Sequence, residues 1–145
     1  MAIMGLDLEA TEDYVFSGDP ARGSEDATVW VLGTLDSRIL GKIRDMATTM
    51  ALDPLKPDEI SQTINSREMD FTTVVYGLRG WRNFPDGKGG LIDFKTEQRT
   101  HNGTVYTVAD PMVVKRIPPQ VMRELAAKIR RDNTLDEALA GNSVA

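Results

Sequence analysis

The sequence predicts an α+β fold: a small antiparallel or mixed sheet with a hairpin, packed by two or three helices. Three observations predict it. Residues 27–35, ATVWVLGTL, alternate with the period of two that a strand requires. Segments 37–50, 67–79 and 119–132 repeat apolar positions at helical spacing. Between the last two lies a segment broken by Asn102-Gly103, among the strongest short hairpin signals.

In chain order, residues 6–16 have room for a short helix, and SGDPARGSED at 17–26 reads as a loop punctuated by Pro20 and Gly23. Residues 1–26 therefore read as an acidic N-terminal arm attached to a domain spanning 27–135. In the strand at 27–35, Val29, Val31 and Leu35 face one way and Trp30, Leu32 and Thr34 the other. Apolar groups on both faces predict cover on both sides, one of them open to another subunit. Asp36 stands at the N-cap position of the first helix with Ser37 beside it. That helix carries the stripe Ile39, Leu40, Ile43, Met46, Ala47 and Met50. Pro54 and Pro57 predict a loop over 51–66, with room for one helical turn at 58–64.

Ser66 is placed to cap the second helix, whose stripe is Phe71, Val74, Val75 and Leu78. Gly77 weakens it by about 1 kcal/mol relative to alanine, and a glycine there marks close approach of a neighbour. Gly80 follows as a left-handed C-cap. Pro85-Asp86-Gly87 reads as a turn, and Gly89-Gly90 leads into a hairpin of LIDFKTEQRT and TVYTVA over 91–109. Asp110-Pro111 opens a short helical segment through Ile117, proline being suited to the first helical position. Pro118-Pro119 interrupts it. The third helix then presents Val121, Met122, Leu125, Ala126 and Ile129. TLDEALAGNSVA allows a weak last turn, and 136–145 read as a flexible tail.

A chain of 145 residues fits one domain with one core. It has no apolar run of the length a membrane helix needs. The start, MAIMGLDLEATED, lacks the basic and apolar regions of a secretory signal. There is no cysteine, which excludes disulfides, thiolate zinc sites and thiol nucleophiles. The net charge of −5 argues against general affinity for nucleic acid. Charge is unevenly spread. Residues 1–26 hold seven acids against one base, and 115–131 hold six bases against Glu124 alone. Solvated faces, an assembly partner and a ligand all account for that pattern.

The stretch VVYGLRGWRNFPDGKGG at 74–90 raises the question of a phosphate-binding loop. Such a loop needs a strand, then glycines, then the N-terminus of a helix. Here the glycines follow a helix and precede a strand, so turn chemistry is the simpler reading. His101, the sole histidine, adjoins the Asn-Gly turn and reads as an exposed loop side chain. One histidine without cysteine does not make a typical zinc site, and no EF-hand pattern is present. Acid pairs such as Asp86 with Asp93, or Asp7 with Glu9, stand out in nothing but proximity. Asn102-Gly103-Thr104 matches a glycosylation acceptor in form, and reads as a turn. No catalytic, metal or cofactor-binding residue is assigned. Tyr76, Arg79, Trp81, Arg82 and Phe84 remain as partner-contact candidates, because interfaces favour Trp, Tyr and Arg. For Trp81 the competing reading is a lid on the core.

The order of ATVWVLGTLDSRILGKIRD, FTTVVYGLRGWRNF, DFKTEQRT and IPPQVMRELAAKIRRDNTL resembles small virion-morphogenesis proteins of tailed bacteriophages, of the tail-assembly-chaperone type. The resemblance spans about residues 27–135. GLRGWRNF (77–84) and IPPQVMRELAAKI (117–129) are its most specific pieces. It implies a protein that is not an enzyme and needs no cofactor. Such a protein would hold tape-measure, tail-tube, neck or capsid subunits in the bacterial host cytoplasm, with no nucleic acid or membrane partner and with room for homo-oligomers. A permanent neck, tail or capsid component is the alternative. Further alternatives are a small hydrolase or nucleotide-binding enzyme using the Gly-rich loop with Asp86 and Lys88, and a host-directed inhibitor.

Overall fold

The alternation at 27–35 is realised as a strand that buries Trp30 and Leu32 and leaves Val29 and Val31 half-buried. The computed structural model describes residues 2–53, 56–64 and 66–144, with side chains described over 2–46 and 66–133. Its elements are β1 (Thr11–Val15), β2 (Val29–Gly33), α1 (Ser37–Ala47), β3 (Thr48–Asp53), β4 (Lys56–Ile64), α2 (Ser66–Gly77), β5 (Leu78–Arg82), β6 (Thr96–His101), β7 (Thr104–Ala109), α3 (Pro111–Val114) and α4 (Pro119–Val144). The fold is α+β. An antiparallel sheet in the order β1-β2-β5 accompanies the hairpins β3–β4 and β6–β7.

β2 is central because both of its edges are paired. Tyr14 of β1 lies opposite Trp30, which in turn lies opposite Trp81 of β5. The short helix expected within 6–16 is thus replaced by a strand over TEDYV, which carries β-branched and aromatic residues and completes the β2 ladder. α4 holds β1 in place through Glu124. The Tyr14 hydroxyl and the Ser17 amide donate to Glu124 Oε2 at 2.9 and 2.8 Å, and the Ser17 hydroxyl donates to Oε1. Lys128 adds an ion pair to Glu12 at 3.5 Å.

The α1 cap is as the sequence predicts: the Ile39 amide donates to Asp36 Oδ1 at 2.8 Å. Ile39 and Ile43 are buried, Leu40 is half-buried and Met46 is exposed. The rest of that stripe, Ala47 and Met50, and the loop marker Pro54 lie outside the described side chains or residues. The loop and helical turn expected over 51–66 are instead a β-hairpin, β3–β4. Leu52 pairs with Ile60 and Asp53 with Lys56, so Pro57 falls in the bulge between those pairs, where its missing N–H breaks no ladder bond.

α2 lies against α1, α4, α3 and β7. All of Thr72, Thr73, Val74, Val75, Tyr76 and Gly77 are buried, so its second half is enclosed all round rather than amphipathic. Gly77 permits this. A Cβ there would lie 2.8 Å from Ile129 Cδ1 and 2.9 Å from Ile129 Cγ2. Helix and strand then meet without a glycine cap. Gly80, read from the sequence as that cap, has no positive φ and pairs with Val31 inside β5. The edge of β2 offers ladder bonds that end the helix earlier than its apolar stripe suggests.

The β6–β7 turn has Asn102 at φ 51° and Gly103 at φ 80°, the left-handed pair that a tight hairpin needs. Asp110 caps α3, accepting from the Met112 amide at 2.9 Å. α4 buries Val121, Met122, Leu125, Ala126 and Ile129 as its spacing predicts. Its backbone continues helically to Val144 where the sequence suggests a tail, consistent with the helix formers in LDEALA. The buried Asn133 of α4 donates to the Leu35 carbonyl at 2.6 Å and accepts from its amide at 3.4 Å. It thereby satisfies the backbone just beyond β2.

Two measurements test this packing. Gly77→Ala should destabilise the fold by about 1–3 kcal/mol in urea denaturation, because the helix-propensity gain does not offset overpacking against Ile129. An unchanged midpoint would show that α4 yields. For Glu124, burial alone would raise the pKa, but the bonds from Ser17 and Tyr14 hold it below its ordinary value of 4.5. Stabilisation from that depressed pKa is present above 4.5 and lost as pH falls through the folded value. Protection factors for amide exchange at 14–17, corrected for the intrinsic pH dependence of exchange, should therefore fall on acidification, and Glu124→Gln should flatten that fall.

Candidate functional site

The five partner-contact candidates separate on folding. Tyr76, Trp81 and Phe84 are core side chains, at 2%, 8% and 8% exposure, so they offer no surface to a partner. Trp81 packs edge-on to Trp30, Phe84 and Phe94, and its indole N–H donates to the Ile92 carbonyl at 2.7 Å. The lid reading is the one that the structure follows. Arg79 is half-buried, its guanidinium donating to the Tyr76 and Thr34 carbonyls at 2.5 and 3.1 Å. Burial lowers its pKa. Arg82 alone is at the surface, paired with Asp13 at 2.8 Å.

The Gly-rich stretch is closed by its own carboxylate. Asp86 Oδ1 accepts from the Lys88 amide at 2.7 Å and the Gly90 amide at 3.1 Å. Gly87 and Gly89 have φ of 79° and 89°, which bend the chain around Asp86. Those amides, which an external phosphate would need, already hold an internal anion. They also keep the Asp86 pKa below its ordinary value. Among the described residues no cluster of three or more histidine or acidic side chains is arranged to hold a metal ion. Among them, too, no helix is long and apolar enough to cross a membrane.

The chemistry that the fold does assemble lies on the inner face of the β6–β7 hairpin. Strand alternation turns Glu97, Arg99 and His101 inward, where apolar residues would be the rule. Arg99 pairs with Glu97 at 2.9 Å, and its guanidinium lies 5.7 Å from the Tyr76 ring centre. His101, expected on an exposed loop, is half-buried, and its Nε2 is hydrogen-bonded to the Tyr76 hydroxyl. Tyr106, across the hairpin from Arg99, donates to Asp36 Oδ2 at 2.7 Å. Asp36 thus caps α1 with one oxygen and anchors the hairpin with the other.

Burial lowers the His101 pKa from its ordinary 6.5, and the positive charges of Lys42 and Arg99 lower it further. Tyr106 shifts the other way, raised by its bond to Asp36 and by burial. Beside this cluster a cleft of about 690 Å³ opens between α1 and the hairpin tip, walled by Arg38, Lys42, Asp45, His101, Asn102 and Tyr106 among others. A second groove of about 330 Å³ runs from Leu8 to Val105 over Leu35, Leu78, Phe94 and Val108. The sequence signal for His101 was available: Asn102-Gly103 sets the register, and counting back by two from the turn puts 101, 99 and 97 on one face.

Comparison with protein-family models, with curated protein sequences and with solved structures gives no match to this chain.

Tyr76→Phe should cost about 0.5–1.5 kcal/mol in chemical denaturation at pH 7.5, the usual net worth of one hydrogen bond. Because the folded His101 pKa is depressed, its stabilisation is present above 6.5 and is lost as pH falls through the folded value. His101→Gln should remove that part of the pH dependence. An unchanged profile would show that the pair contributes nothing.

Proposed function

We propose that this is a non-enzymatic bacteriophage morphogenesis protein of the tail-assembly-chaperone kind, acting through protein–protein contacts in tail or virion assembly. The observation that carries the reading is apolar surface left in water. Ile3, Met4 and Leu8 precede β1 at 72%, 78% and 50% exposure, and Val105 stands out from the hairpin at 58%. Leu8 and Val105 flank the same groove over Leu78 and Phe94. Grouped exposed apolar side chains of this kind mark contact surfaces.

The resemblance supports the reading from the other side. GLRGWRNF contributes Leu78, Trp81 and Phe84 to the core, and IPPQVMRELAAKI contributes Ile117, Val121, Met122, Leu125, Ala126 and Ile129. Both segments serve the scaffold. Binding then falls to surface outside those two segments, including the segment before β1 and Val105 of the hairpin. The site of action would be the bacterial host cytoplasm during assembly, and the partners tape-measure, tail-tube, neck or capsid subunits.

Co-expression with the tape-measure and tail-tube proteins of the same phage should yield a co-purifying complex that Leu8→Asp and Val105→Asp weaken. Failure to bind any tail, neck or capsid subunit would overturn the reading. Mass spectrometry of purified particles separates the two versions: many copies per particle would make the protein a permanent component rather than a transient chaperone.

A further inference from the structure

The cleft between α1 and the hairpin tip brings cations together in a chain whose net charge is −5. Arg38 and Lys42 stand one turn apart on α1 and both line it. Neither has an ion-pair or hydrogen-bond partner among the described residues. Asp45 is the one carboxylate of the wall among those residues. Facing the helix are His101 and Asn102, and the Asn102 side chain has no hydrogen-bond partner among the described residues.

Tyr76 determines what His101 can offer. The Tyr76 hydroxyl shares a hydrogen bond with His101 Nε2, and the Arg99 guanidinium lies over the Tyr76 ring, 5.7 Å from its centre. A neutral ring that accepts at Nε2 carries its proton on Nδ1. With Nε2 engaged by Tyr76, Nδ1 is the ring nitrogen without a hydrogen-bond partner among the described residues, on a side chain that lines the cleft. Arg38, Lys42 and the carboxylate Asp45 from α1, Arg99 from β6, Tyr76 from α2 and Tyr106 from β7 are the charged or titratable groups around the ring among the described residues. Two cations one turn apart repel each other, and an anion between them and the hairpin tip relieves that repulsion while accepting from donors on two elements.

We propose that this cleft binds a phosphate-type oxyanion, free or carried on a small molecule, between Arg38 and Lys42 of α1 and the His101–Asn102 tip of the hairpin. A volume of about 690 Å³ exceeds a bare oxyanion and suits a small phosphorylated compound. The cleft's donors Arg38, Lys42, His101 and Asn102 lie outside the apolar groove proposed for protein contacts, with which it shares Ile39 and Tyr106, so its failure or success leaves that proposal untouched. Binding is linked to protonation, because an anion beside the ring favours imidazolium and protonation in turn strengthens binding.

His101 is the only histidine, so its ring signals in NMR report on this site alone. The probe is sulfate, which stays dianionic through the titration, compared with sodium chloride at equal ionic strength. Sulfate should raise the His101 pKa above the sodium chloride value and shift the Lys42 and Asn102 signals saturably. Lys42→Gln and Arg38→Gln, both solvent-accessible positions, should each weaken binding by about tenfold or more, as expected for loss of one charged hydrogen bond. Titration with inorganic phosphate and with glucose 6-phosphate then identifies the occupant. Tighter binding of the sugar phosphate indicates an organic phosphate, and tighter or equal binding of the inorganic ion indicates free phosphate. An equal pKa rise in sodium chloride would mean screening alone. That result, or a sulfate effect unchanged in both variants, would overturn the proposal.

Discussion

The enclosure of the second half of α2 is the constraint on which the rest of the structure depends. Six consecutive buried residues need cover on every side, and α1, α3, α4 and β7 supply it. The contact with α4 is the closest, and it exists because Gly77 presents no side chain to Ile129. Around this contact polar groups are placed economically. Thr73 donates back to the Met69 carbonyl at 2.6 Å, and Arg130 of α4 reaches Asp70 at 2.9 Å. The apolar pattern runs on past the helix into β5, because Leu78 is buried as well, so burial alone does not mark where the helix ends.

The β6–β7 hairpin meets that helix with a different kind of surface. Its inner face joins Val108 to Glu97, Arg99 and His101, so part of the layer over α2 is hydrogen-bonded rather than oily. Tyr76 is the hinge between the two characters: its ring is core, while its hydroxyl joins the polar set. Polar residues at inward strand positions depart from the pattern that stability alone would select, and such departures concentrate where a protein does its work. The apolar groove and the cleft beside α1 both have Tyr106 in their walls.

Much of the scaffold was legible in the sequence. Asp36, Asn102-Gly103 and Asp110-Pro111 act locally, through bonds to neighbouring amides or through backbone conformation, so their roles show in a few residues of sequence. The strand at 29–33 and the stripe of α4 follow from period alone. β3–β4 is local, but its two prolines point to a loop instead. β1 and β5 were missed because each is made by a partner distant in the chain: Thr11 pairs with Gly33, and Val31 with Gly80. Trp81 and Phe84 were ambiguous for the same reason, since their burial depends on Trp30 and Phe94. The polar cluster was less legible still. Asp36, Tyr76, His101 and Tyr106 come from four separate segments, and only the folded register brings them together.

The Glu124 latch has a bearing on how the chain is made. β1 is made well before the carboxylate that receives Tyr14 and Ser17, which lies 110 and 107 residues later. Its ladder partner β2 follows within about twenty residues, so nascent β1 meets a strand long before it meets the latch. During that interval β2 has neither β5 nor α4 against it. An open strand edge of that kind is prone to pair with the same edge on a neighbouring chain, and the later arrival of β5 closes it.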